Sequence, residues 1–88
     1  MHSAPATITF DTAPREVEAL ASALAGEGWA LDLATCTEFD SSLIGVMLEL
    51  ERRALAVGKK CSFSNPPPNL RELARLYGVG ELLFVDRN

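Results

Sequence analysis

Asp40, Ser41 and Ser42 stand in a row where a polar stretch gives way to a helical pattern, and no other run in the sequence invites chemistry so directly. The N–H groups that open a helix carry about half a positive charge and favour an anion beside them. A serine hydroxyl in that place can cap the helix or accept a phosphoryl group. Phosphorylation would add roughly −1.5 to −2 charges next to Asp40 and change what a partner meets there. The commoner use of such residues is as a helix cap and nothing more. A third use is a small molecule or nucleotide whose phosphate rests at the helix start near Ser41.

Other catalytic templates fail in turn. A serine nucleophile needs an adjacent base held by a third group, and the single histidine, His2, sits near the chain start in a predicted tail. Cys36 and Cys61 are too few and too far apart for a metal or redox pair, so neither metal nor cofactor is expected. Gly58-Lys59 lacks the preceding glycine and following Ser/Thr of a phosphate-binding loop. Asp32 and Asp40 could form a carboxylate pair, but Asp32 reads as a strand-surface residue. Tyr77 falls on an apolar helix stripe and reads as core.

The elements that must position Ser41 follow from apolar spacing. Thr7–Phe10 is a predicted strand, and Asp11 or Thr12 is placed to cap a helix that opens near Pro14. That helix carries Val17, Leu20, Ala21 and Leu24 on one face and ends at Gly26 and Gly28. Residues 29–34 form a second strand, with Trp29, Leu31 and Leu33 inward and Asp32 outward. Leu43, Met47, Leu50, Ala54 and Val57 then mark a helix from Ser42 to Val57, capped by Ser41 or Ser42. Ile44, Leu48 and Leu55, with Glu51 among them, lie about a third of a turn from that stripe. They are either part of a widely buried face or an exposed docking strip beside the serine.

Residues 59–64 read as a third strand, and Pro66, Pro67 and Pro68 enforce an extended connector. Asn69 and Glu72 have the spacing of a capping box for a helix that buries Leu70, Leu73, Ala74 and Tyr77 and stops at Gly78. Leu82–Val85 is a predicted fourth strand. The order βαβαβαβ implies an α/β fold: a mostly parallel four-stranded sheet with three main helices.

At 88 residues the chain is expected to be one domain over 1–88, with 1–5 a disordered tail and little room for an enclosed cavity. Eight Lys/Arg against twelve Asp/Glu give a net charge of −4, the wrong sign for a phosphate backbone, so nucleic acid is not an expected partner. Residues 1–50 hold one basic and eight acidic groups and residues 51–88 seven and four, which a compact fold is expected to interleave into a mixed surface sooner than to separate into a polar docking face. The first residues have neither a basic nor an apolar leader region, and no apolar run approaches the roughly eighteen residues needed to span a bilayer. A cytoplasmic location is the expectation.

From Leu31-Asp32-Leu33 through Asp40-Ser41-Ser42 and the helix beyond, the sequence resembles STAS domains, the modules of anti-sigma-factor antagonists and sulfate-transporter tails. That family sets a phosphorylatable Ser or Thr directly after an Asp at this helix start, which falls here on Ser41 after Asp40. The runs 43–50 and Arg52-Arg53, and above all 65–79 (NPPPNLRELARLYGV), are similar to the MlaB-like branch. The resemblance implies a non-catalytic adaptor on the ATPase subunit of an ABC transporter that moves phospholipid and maintains outer-membrane lipid asymmetry. Such a protein is held at the inner membrane only through its partner. Asp40, Ser41, Ser42, Ile44 and Leu48 form the implied contact patch, which favours the exposed-strip reading. The alternative is an antagonist of an anti-sigma-factor kinase, switched by phosphorylation of Ser41. Antagonists usually carry glycine after Asp-Ser-Ser; Leu43 stands there instead, where it is expected to cover backbone that a kinase-type partner would approach.

Overall fold

A computed structural model describes residues 2–84. The strands and helices alternate as β1 (His2–Ser3), β2 (Thr7–Ile8), α1 (Ala13–Ala25), β3 (Ala30–Asp32), β4 (Glu38–Phe39), α2 (Ser42–Ala56), β5 (Ser62–Ser64), α3 (Pro68–Leu76) and α4 (Gly80–Leu83). Every strand pair described is parallel, but the strands form two small sheets, β1-β3-β5 and β2-β4, where one four-stranded sheet was expected. Pro5 accounts for the break. It has no N–H to give to a ladder, so the chain pairs with β3 before it and with β4 after it. The gap is bridged where the Thr35 hydroxyl donates to the Ala4 carbonyl at 2.6 Å and the Thr37 and Glu38 N–H groups both reach the Ala6 carbonyl. Residues 2–4 are therefore not a loose tail: His2 pairs with Leu31, and Ala4 is buried.

α1 and α2 pack against each other, and Ile8, Leu24, Leu31, Leu33, Leu43, Met47, Leu50 and Leu70 are among the core side chains. The predicted stripe of α1 holds, with Leu20, Ala21 and Leu24 inward. Its predicted side-chain cap does not form: Thr12 occupies the N-cap position, but its hydroxyl accepts the Thr9 N–H. Thr9 and Phe10 have left the predicted strand to make that turn.

The C-terminal third differs most from expectation. α3 opens at Pro68, whose fixed φ and missing N–H suit a first helical position. The start therefore precedes Asn69, and no capping box forms; Glu72 pairs with Arg75 instead. Tyr77, at the C-cap, is 56% exposed and not core. Leu82 to Phe84 are not a strand: α4 ends at Leu83, the Phe84 N–H reaches the Gly80 carbonyl, and Arg71 lies over the Phe84 ring at 5.2 Å. A short apolar run has no periodicity of its own to separate strand from helix, and here the helical turn buries Leu83 and Phe84 while leaving Leu82 out. Val85, the end of that predicted strand, lies outside the described residues.

One buried charge ties α2 to the sheet. Glu51, 5% exposed, accepts the Cys61 N–H at 3.0 Å and pairs with Lys60 Nζ at 2.9 Å. Removing it leaves a buried N–H just before β5 without its acceptor. Glu51→Ala is expected to cost about 1–3 kcal/mol in urea unfolding, and Lys60→Ala, at the half-exposed partner, less than about 1 kcal/mol. Equal losses for the two would show that the ion pair to Lys60, and not the hydrogen bond to Cys61, matters.

Candidate functional site

The β4–α2 junction brings together the three residues singled out at 40–42, and the aspartate organises them. Asp40 Oδ1 accepts the Ser42 N–H at 2.9 Å and the Ser42 hydroxyl at 2.5 Å, while Oδ2 accepts the Phe10 N–H at 3.0 Å. The helix is thus capped by the carboxylate, and neither serine hydroxyl caps it. The Ser42 hydroxyl, with the Phe10 and Ser42 N–H groups after it, holds the Asp40 carboxyl below its ordinary value of 3.8.

Ser41 takes the N-cap position with its hydroxyl exposed and without a hydrogen-bond partner among the described residues; only its carbonyl is engaged, by the Ile44 N–H at 3.0 Å. Ser42 is half-buried, with its hydroxyl committed to Asp40. A free phosphate would meet that carboxylate at the helix start, which is a poor site for a second anion.

Ile44 and Leu48 do not join this patch. Ile44 is 2% exposed and Leu48 is half-buried against the core. On this flank Ile44 and Glu51 are buried and Leu48 is half-buried, while Leu55 near the C-terminal end is 57% exposed; Leu43, Val46, Met47, Leu50 and Ala54 are buried as well. Leu43 likewise is fully buried in the core.

In the first turns of α2 the accessible residues are instead Ser41 and, one turn on, Gly45, with half-buried Glu49 one turn further. Gly45 is exposed, and a Cβ built on it meets nothing within 4 Å. Facing it across a groove of about 330 Å³ are Phe10, Pro14 and Val17, with Ser42 and Glu49 at its edge. The sequence reading missed Phe10 and Gly45. The signal for Gly45 was present in its three- and four-residue spacing from Ser42 and Ser41.

Beyond the groove, Arg53 bridges the two helices, donating to Glu18 of α1 at 2.7 Å and to Glu49 at 2.7 Å. Arg52 and Arg53 together hold the Glu49 carboxyl down to about 2.

The remaining candidates separate. The Asp32 carboxylate takes the Ala34 N–H and the Asn65 side-chain amide, with no link to Asp40. Cys36 and Cys61 are buried free thiols whose ionisation burial pushes up, Cys61 to about 12. His2 lies beside Glu27 at 3.3 Å. Among the described residues no group of His, Cys, Asp or Glu is placed to hold a metal ion, and no helix is long and apolar enough to cross a membrane.

The family described as "Mlab, STAS domain" matches residues 6–85, and the chain belongs to it. STAS domains are in general binding domains and not enzymes. No curated protein and no solved structure matches the chain.

Two outcomes follow from this geometry. Because Gly45 is a mid-helix glycine with open space around it, Gly45→Ala is expected to stabilise the fold by about 0.5–1 kcal/mol, read as a rise in Tm. Because the folded Asp40 carboxyl sits below its unfolded value, its contribution to stability is complete at neutral pH. It is lost only as pH falls through that depressed midpoint. NMR titration should find the Asp40 midpoint below 3.8, and Ser42→Ala, which removes the largest cause, should raise it; an unmoved midpoint would contradict the assignment.

Proposed function

We propose that this protein is a non-catalytic adaptor that binds and supports the ATPase subunit of an Mla-type phospholipid-transport ABC transporter, through the end of α2 formed by Asp40, Ser41 and Ser42. The observation that carries the reading is the Ser41 hydroxyl, exposed and unengaged at the helix start in a chain of the MlaB family. Such a hydroxyl can give one hydrogen bond to a partner backbone without first breaking one of its own. On this reading the protein is cytoplasmic and reaches the inner membrane only through the transporter. Outer-membrane lipid asymmetry depends on the complex and not on any reaction of this chain.

The test is Ser41→Asp, which sets against the partner backbone, in place of the free donor, a carboxylate that can only accept and must give up its water. Affinity for the ATPase subunit should fall by about 2 kcal/mol or more, with ATPase activity of the assembled complex falling alongside, while Ser41→Ala keeps most of the binding. Unchanged pull-down and unchanged hydrolysis for Ser41→Asp would remove the adaptor reading.

The same free hydroxyl supports a second reading, an antagonist released or engaged when an anti-sigma-factor kinase phosphorylates Ser41. Ser42 is not the acceptor on this reading, since its hydroxyl already donates to Asp40. Incubation with the kinase and labelled ATP should place the label on Ser41 and leave Ser41→Ala unlabelled. Absence of label rejects the switch.

A further inference from the structure

The groove between α1 and α2 is not explained by the Ser41 hydroxyl. Phe10, in the turn after β2, lines the groove and is 79% exposed, although phenylalanine is among the side chains most often fully buried. Pro14 and Val17 form one wall, and the bare backbone of Gly45 forms part of the other, so two packed helices leave a trough where side chains would normally interlock.

The charge at its mouth is one-sided. Asp40 lies against the Phe10 N–H and Asp11 follows Phe10 directly; neither has a cation partner among the described residues. Arg15 is the sole Lys or Arg in residues 1–50 and rests 4.0 Å from Glu16. At the far end, the Glu49 charge is already taken by Arg52 and Arg53.

We infer that the groove receives an amphipathic helix of a partner protein, which lays an apolar side between α1 and α2 and sets Lys or Arg side chains over Phe10, Asp11 and Asp40. Helix-in-groove recognition supplies the apolar part. A guanidinium above the Phe10 ring and between the two carboxylates gains both a cation–π contact and charge pairing. An anionic membrane is repelled by those carboxylates. A second copy placed groove to groove about a two-fold axis would bring one acidic mouth onto another. The inference rests on the reading that this end of α2 meets a protein, but it names a different part of the surface and a different chemistry.

Two fluorescent designed helices with the same Leu/Ala face, one flanked by Lys/Arg and one by Glu, are titrated with the full chain by anisotropy. The basic helix should saturate and weaken as ionic strength rises, and the acidic one should not bind. Gly45→Leu, which fills the trough, and Asp11→Lys, which reverses charge at its mouth, should each weaken the basic helix at least tenfold while both variants keep a cooperative melt. No binding of the basic helix, equal binding of both helices, or full binding to Gly45→Leu overturns the inference. So does Gly45-dependent capture by vesicles containing phosphatidylglycerol, or Gly45-dependent dimerisation in sedimentation. The full-length ATPase subunit is run beside the helices. If it binds the unaltered chain and Gly45→Leu equally, the groove fails and the adaptor reading stands. If the basic helix binds through Gly45 and the ATPase subunit does not bind, the adaptor reading fails and the groove stands.

Discussion

The Asp40 carboxylate reaches the Phe10 N–H on one side and the Ser42 N–H and hydroxyl on the other, and this one group sets the geometry of the whole end of the molecule. Through it the exit of β2 and the entry of α2 are fastened together, so α1 and α2 start from a common corner. A charged acceptor makes hydrogen bonds roughly twice as strong as a neutral one, and a negative charge at a helix start is favoured by the dipole. The helix therefore needs no serine to cap it. Ser41 is released to solvent because Asp40 has taken the role that its hydroxyl would otherwise fill.

A second constraint works from the sheet side. Pro5 divides the N-terminal stretch, and the resulting sheets of three and two short strands offer little surface on which to build a core. Much of the burial then falls to α2, which turns most of its circumference inward and carries Glu51 with it to close on the backbone of Cys61. At the N-terminal end of α2 the exposed residues are Ser41 and Gly45; toward the C-terminal end they are Arg52, Leu55 and Ala56. The same economy of strands that buries Ile44 leaves only Ser41 and Gly45 fully accessible in the first turns of α2.

Much of this was legible in the residues. Period-3.6 spacing located α1 and α2 within a residue or two, and the junction of a polar stretch with that pattern located Asp40, Ser41 and Ser42. The errors came where local signals were degenerate or where tertiary contacts decided. Leu82-Leu83-Phe84 has no period to read, and its conformation is set by the turn that follows Gly78. Ile44 lies off the main stripe by an angle that suits burial or exposure equally, and only the thinness of the sheets resolves it. Tyr77 fits the stripe of α3 but falls where the helix ends. His2 and Ser3 are too short a strand to signal themselves, and their pairing is fixed by Leu31 and Asp32.

The charge distribution argues the same way. Interleaving was expected to mix the acidic first half with the basic second half, and along α2 it does: Arg53 reaches across to Glu18, and Arg52 and Arg53 together neutralise Glu49. Lys60 is likewise spent on Glu51. These pairings draw the cations to the middle and far end of α2, so none pairs with Asp11, Glu38 or Asp40 among the described residues. The fold thereby converts an imbalance along the sequence into an imbalance in space. Its negative end coincides with the free hydroxyl and the open groove, where long-range attraction of a basic surface would speed encounter before any contact forms.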